Sequence, residues 1–276
     1  MAVPDTAQRS LDHWSEAGRA EMQSFYALAT EDYRVLAAAR DWAADLRRRA
    51  TGGRLRLLDV ACGSGKFPAA LLAAGLPAAT QDLTVSVDLL DPSAFSIAEA
   101  RAVLAAPFEA ATGHEVLLQE FTAQAGFDVA WATHALYALP PAQLASGVAR
   151  MVAALRPGGF GAIAQAGAAS HYLFFYDAYR TTYAPELTPY TTAEQVGASL
   201  SAAGVDVTVQ RLHYRTGSAD RAVIEGFLQR CAFDATVPLT RMESDEPLAE
   251  YLASCRTADG SYTFAHEAHL MTWETG

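Results

Sequence analysis

The chain is poor in the features that mark several large classes of protein. It has one lysine, Lys66, three cysteines, and 20 basic against 31 acidic residues, for a net charge of −11. A polyanion partner is bound mainly by clustered Lys and Arg, so this balance argues against nucleic acid. The nearest basic run, "LRRRA" at Arg47 to Arg49, reads as the solvated end of a helix. No apolar run approaches the roughly 18 residues that a membrane span needs. The first residues, "MAVPDTAQRSLDHWSEAG", show neither a basic leader nor an apolar signal core, so the expectation is a soluble cytoplasmic protein with no membrane partner. Cys62, Cys231 and Cys255 lack metal-ligand spacing and cannot all pair, which fits a reducing compartment and predicts no metal site.

What is present is a regular alternation. Residues 8 to 50 carry apolar residues every three to four positions and are expected to be helical. From residue 51, strands and helices alternate. "RLRLLDVA", "TVSVDLLD", "HEVLLQEF", "FDVAWATHALYAL" and "FGAIAQAG" read as five strands, with "KFPAALLAAG", "PSAFSIAEARAVLAAPFEAAT" and "PPAQLASGVARMVAALRPGG" as helices between them. Such alternation implies an α/β fold with a mostly parallel sheet covered on both faces. After residue 168 the pattern changes. "SHYLFFYDAYRTTYAPELTPY" packs seven aromatic residues into twenty-one positions. "TTAEQVGASLSAAG" reads as a helix with a capping box at Thr192 and Gln195. "VDVTVQRLHYR" and "SYTFAHEAHLMTW" read as two final strands, separated by helices near 219 to 256. The expected organisation is therefore a helical cap over residues 1–50 and a main domain over 51–276, with insertions near 168–190 and 216–258.

The stretch "DVACGSGKF" joins a strand to a helix through Gly63 and Gly65, where a bare backbone can pass close beneath a ligand. A dinucleotide fingerprint needs a third glycine at position 68, and Pro68 stands there. The spacing matches instead the acid-x-x-x-Gly-x-Gly turn of S-adenosylmethionine enzymes, in which Asp59 can accept a hydrogen bond near the amino-acid end of the cofactor. Asp91 ends the next strand, where a carboxylate can accept both ribose hydroxyls of an adenosine. Asp88 competes for that role from inside the strand. Thr122 could cover the adenine, and Thr133 and His134 end strand four beside the expected methyl position. The order strand, glycine turn, helix, strand, acid predicts a Rossmann-like class I methyltransferase domain whose last strand runs antiparallel.

The sequence also resembles the histamine N-methyltransferase family. The similarity lies in "FYALATEDYRVL", "LLDVACGSGKF", "DLLDPSAFSIAEARAVL", "FDVAWATHALYAL", "YTTAEQVGASLSAAGV" and "FLQRCAFDATVP". The resemblance implies S-adenosyl-L-methionine as cofactor, with Ser93 of the acid-Pro-Ser-Ala pattern among the residues that hold it. It also implies a small-molecule acceptor held by Glu31 on its amine side, with Phe25 nearby and Tyr137 beside the reacting centre. His266 stands where the family has an asparagine. His171, Tyr172, Phe175 and Tyr176 correspond loosely to its aromatic pocket walls. Glu31, His134 and His266 are the candidate catalytic residues, the two histidines as proton relays.

The reading that follows is methyl transfer to a nitrogen of a small amine or heteroaromatic molecule. Transfer to oxygen or carbon of a biosynthetic intermediate, and a cofactor-binding module without turnover, stay open alongside it. Oligomeric state is not legible.

Overall fold

The computed structural model describes residues 5–13, 15–16, 19–122 and 126–276, with backbone alone over 19–24. Three helices open the chain: α1 (Thr6–His13), α2 (Arg19–Ala38) and α3 (Trp42–Arg49). An alternating segment follows, with β1 (Arg54–Val60), α4 (Lys66–Ala73), α5 (Leu76–Ala79), β2 (Thr84–Leu90), α6 (Ala94–Val103) and β3 (Phe108–His114). It continues through β4 (Phe127–Thr133), α7 (Pro141–Ala154) and β5 (Leu155–Ala166). The last third holds α8 (His171–Tyr183), α9 (Ala193–Ala202), β6 (Thr208–Ser218), α10 (Arg221–Cys231), α11 (Leu239–Met242), α12 (Leu248–Ser254) and β7 (Tyr262–Glu274).

The seven strands form one sheet in the order β3-β2-β1-β4-β5-β7-β6. The pairings are parallel from β3 across to β5, while β7 runs antiparallel to both its neighbours. This is the Rossmann-like methyltransferase arrangement. Strands β1 and β4 are adjacent although they are not consecutive, so the chain order reverses between them. In open α/β sheets ligands bind beyond the carboxyl ends of the strands at such a switch point.

Burial on both faces explains why the central strands read as unbroken apolar runs: Leu57, Leu58 and Val60 of β1 are fully enclosed. Trp131 of β4 ties the layers together. Its ring meets Trp42 of α3, Phe67 of α4 and Phe108 of β3 edge-on, at centroid distances of 6.2, 5.0 and 6.1 Å. Edge-to-face packing of this kind adds about 1 kcal/mol per pair beyond burial. The capping box at Thr192 and Gln195 forms as expected, and Asp220 caps α10.

One strand lies elsewhere than the sequence implied. α6 stops at Val103, and β3 occupies Phe108–His114 in place of "HEVLLQEF". Pro107 has no N–H to continue a helix and disfavours helical backbone before it, so the chain leaves the helix early and enters the sheet. The apolar residues of "HEVLLQEF" are then free to pack in a turn, where Leu118 and Phe121 join the core that includes Leu144 and Val148 of α7. Among the described residues no helix is long and apolar enough to cross a membrane.

Candidate active site

A cavity of about 230 Å³ opens beyond the carboxyl ends of β1, β2 and β4. Its floor is the β1–α4 turn. Gly63 and Gly65 adopt left-handed backbone, at φ 50° and 69°. A side chain at Gly63 would meet open space, whereas a Cβ at Gly65 would lie 2.5 Å from Val103 Cγ2 and 3.0 Å from Ala100 Cα. The two glycines therefore do different work: Gly63 leaves the cavity clear, and Gly65 lets α4 pack on α6.

Two buried carboxylates flank this turn. Asp91 accepts hydrogen bonds from the backbone N–H of Gly63 at 3.0 Å and of Ser93 at 2.9 Å. The Ser96 side chain also hydrogen-bonds to this carboxylate, which leaves it room for a further donor. Asp59 is 2% exposed, and its Oδ2 has no hydrogen-bond partner among the described residues. Burial, reinforced by the charge of Asp91 and opposed by the Trp131 indole N–H, pushes the Asp59 carboxyl up to about 8. An orphaned carboxylate oxygen beside a cavity calls for a hydrogen-bond donor or a cation. Asp88, the other candidate for the ribose, pairs with His114 at 2.9 Å and does not line the cavity.

The opposite wall comes from α2, the segment after β4, α8 and α10. Asp32 faces the cavity, 3% exposed, and accepts a 2.6 Å hydrogen bond from the Tyr172 hydroxyl. Burial pushes its carboxyl up to about 7, with the Tyr172 and Tyr214 hydroxyls opposing the rise. His134 also lines the cavity, with φ at 52° and its Nδ1 2.8 Å from the Tyr137 hydroxyl. Burial lowers it to about 4, so the ring is neutral near pH 7. Phe25, Tyr26, Tyr190 and Phe233 complete an aromatic enclosure. Tyr26 bridges the two walls: its hydroxyl accepts from Ser64 at 3.2 Å, and the Lys66 ammonium sits 4.2 Å from its ring centre.

Of the residues expected from sequence, the cavity lining contains Asp59, Gly63, Asp91, Ser93, Thr133, His134, Tyr137, Phe25 and Tyr172. Others lie outside it. Glu31 sits on the outer side of α2 and pairs with Arg34, which holds its carboxyl below the ordinary range. Residues adjacent on a helix diverge by about 100° around the axis, so turning Asp32 inward turns Glu31 away. Thr122 is exposed, its hydroxyl 3.4 Å from the Arg150 guanidinium, because β3 ends earlier than expected. His171, Phe175 and Tyr176 belong to the packing of α8. His171 is stacked at 4.1 Å on Phe264 and bonded to Tyr251, Phe175 is fully buried, and Tyr176 lies flat on Tyr190 at 3.6 Å. His266 lies one layer behind the wall. Its Nε2 meets the Thr216 hydroxyl at 2.8 Å and its ring stacks on Tyr214, while burial lowers it to about 3.

Asp32 had a legible signal. Phe25, Leu28, Ala29, Asp32 and Leu36 recur at helical spacing, so the acid falls on the buried stripe of α2. Arg230, Tyr190 and Phe233 gave none, since they reach the cavity only through the packing of distant segments.

Comparison with known proteins agrees with this geometry. Residues 58–160 match the family described as a methyltransferase domain. This stretch is a methyltransferase domain. Its cofactor is S-adenosylmethionine, and the chain is a transferase that uses it. A protein of Bacillus halodurans C-125 superposes with a TM-score of 0.58 at 18% identity, covering 85% of this chain and 98% of its own. The magnesium protoporphyrin IX methyltransferase of Synechocystis PCC 6803, solved with bound S-adenosylhomocysteine, gives 0.54 at 12% identity, covering 96% of this chain and 99% of its own. The YcgJ protein of Bacillus subtilis gives 0.53 at 12%, covering 83% of this chain and 95% of its own. These likenesses establish the fold. No curated protein matches the chain in sequence.

Proposed function

We propose that this methyltransferase acts on a nitrogen of a small amine or heteroaromatic molecule, and that Asp32 holds the acceptor's positive charge. The observation that carries the reading is the buried carboxylate of Asp32, facing the cavity from within an aromatic enclosure. A buried carboxylate binds a cation far better than a neutral group, and aromatic faces add cation–π attraction. The resemblance to histamine N-methyltransferases supports the same acceptor class, with Asp32 in place of its neighbour Glu31.

The chain's donor set suits the cofactor. The unpartnered Oδ2 of Asp59 offers an acceptor to an ammonium group, and Lys66 a cation to a carboxylate. Asp91, at the tip of β2, has acceptor capacity left for a ribose hydroxyl, and Gly63 leaves room above the turn. When bound, S-adenosylmethionine supplies a methyl group already activated on a sulfonium.

The remaining work is positioning. Asp32 and the aromatic wall fix the acceptor, and the enclosed site keeps bulk water from competing. His134, neutral with Tyr137 on one ring nitrogen, can orient an N–H of the acceptor by hydrogen bonding. Its lowered basicity makes it a poor store for a proton, so it serves alignment more than acid–base transfer. His266 supports the wall through Tyr214 and Tyr172.

A screen of amines, imidazoles and phenols with labelled S-adenosylmethionine, read by mass spectrometry, tests the reading. Methyl transfer to a neutral nitrogen of a molecule that carries its positive charge on a separate amine is expected. Transfer confined to oxygen or carbon would overturn it.

A further inference from the structure

Away from the cavity, β7 and α9 bring three ligand-type side chains together. Glu194 in the first turn of α9, with Glu267 and His269 of β7, place one donor atom each within 4.8 Å of one another. His269 Nε2 lies 2.9 Å from Glu267 Oε1 and 3.9 Å from Glu194 Oε1. A fourth donor is close by: His213 pairs across β6 with Glu267, its Nδ1 3.8 Å from Oε2. We propose that these residues form a binding site for a divalent transition metal ion, Zn²⁺ in the first instance.

Three independent features support a built site. The first is the donor set, two carboxylates and imidazole, which suits a borderline ion such as Zn²⁺ and gives four ligands when His213 turns in. The second is burial. The His269 side chain is 5% exposed and aims one ring nitrogen at both carboxylates, while Glu194 at 48% leaves the ion a route from solvent. The third is space. A Cβ on Gly167 would lie 2.5 Å from Glu267 Oε1 and 2.9 Å from His269 Nε2, so the glycine after β5 keeps these ligand atoms clear. The competing account is that His269 serves only as a hydrogen-bond partner for the two glutamates.

An ion here would join α9 and β7 to the start of the β5–α8 loop, whose Ala168 N–H already donates to Glu194 at 3.2 Å. Its role would be structural, fixing the loop from which α8 delivers Tyr172 to the cavity. The ligands come from three elements far apart in sequence, which is why cysteine and histidine spacing predicted no metal.

The test is titration of chelator-treated full-length protein with ZnCl₂ alone, followed by calorimetry and thermal melting. One site per chain is expected, with a rise in Tm of roughly 5 °C at saturating ion. Co²⁺ in place of Zn²⁺ should give a nitrogen- and oxygen-ligated visible spectrum without thiolate charge-transfer bands, separating this site from the three cysteines. Glu194→Gln keeps an acceptor for Ala168 and should weaken binding at least tenfold, with cofactor affinity unchanged. His269→Ala should abolish binding. No saturable binding, thiolate bands, or equal affinity in the wild type and Glu194→Gln would each overturn the proposal and leave the hydrogen-bond account.

Discussion

The two walls of the cavity are built from different kinds of sequence. The wall at β1 and β2 uses Asp59, Gly63, Asp91 and Ser93, all within residues 59–93, held by backbone turns and strand register. The facing wall uses Phe25, Asp32, Tyr137, Tyr172, Tyr190 and Phe233, which span residues 25–233 and meet only through helix packing. The first wall has a fixed backbone and two buried carboxylates. The second is aromatic, with one buried acid. On the proposed reading, in which the first wall takes the cofactor and the second the acceptor, the contrast teaches that a local motif can meet a common cofactor, whereas an acceptor pocket depends on the long-range fold around it.

That contrast can be broken, beginning with the turn itself. Gly65→Val places a branched side chain into α6 at a backbone conformation hostile to it. It should cost about 3 kcal/mol and lower Tm by roughly 8 °C in a thermal melt. A stable variant would mean that the turn relaxes freely. On the proposed reading Asp91→Ala removes the carboxylate that meets the ribose, and it should weaken S-adenosylhomocysteine binding roughly 30-fold or more by calorimetry. Unchanged affinity would remove Asp91 from the cofactor wall.

On the other wall, Asp32→Asn should raise KM for a cationic amine about 30-fold while moving the cofactor Kd less than about twofold. Equal shifts in both would mean that the walls are not separate. Asp32 also sets a pH signature for the ligand-free protein. Its folded-state carboxyl is raised to about 7, so the native state holds a proton that the unfolded chain releases nearer 4. Its contribution to stability is present below about pH 4 and is lost as pH rises toward 7. Urea midpoints measured across that window should therefore fall with pH from this source, and the slope should be shallower in Asp32→Asn. The smallest effect belongs to Glu31→Gln. Its pair with Arg34 is largely solvated, so stability should change by less than about 0.5 kcal/mol and KM by less than about twofold.

The same division governs what could be read from sequence. The strand–turn–acid order placed Asp59, Gly63 and Asp91 correctly at the cavity, because strand register carries local spacing directly into space. The capping box at Thr192 was legible from the spacing of Thr192 and Gln195, and the antiparallel last strand followed from the expected fold class. The boundary of β3 was not, because the apolar run "HEVLLQEF" fits a buried turn as well as a strand, and Pro107 decides between them. On the acceptor side, the sequence pointed to Glu31, His171, Phe175 and Tyr176, and the structure brings Asp32, Tyr190 and Phe233 to the cavity instead. A one-residue error on a helix moves a side chain to another face, and of the α8 residues named from sequence only Tyr172 reaches the pocket, while His171, Phe175 and Tyr176 are buried in packing. The cluster of Glu194, Glu267 and His269 escaped pattern reading altogether, since it exists only where the start of α9 meets a strand five elements later in the chain.

The most direct test of the central claim is calorimetric titration of S-adenosylhomocysteine into the wild type, Asp91→Ala and Asp32→Asn side by side. The account predicts that Asp91→Ala loses most of its affinity and Asp32→Asn retains it. Retention by Asp91→Ala together with loss in Asp32→Asn would contradict it.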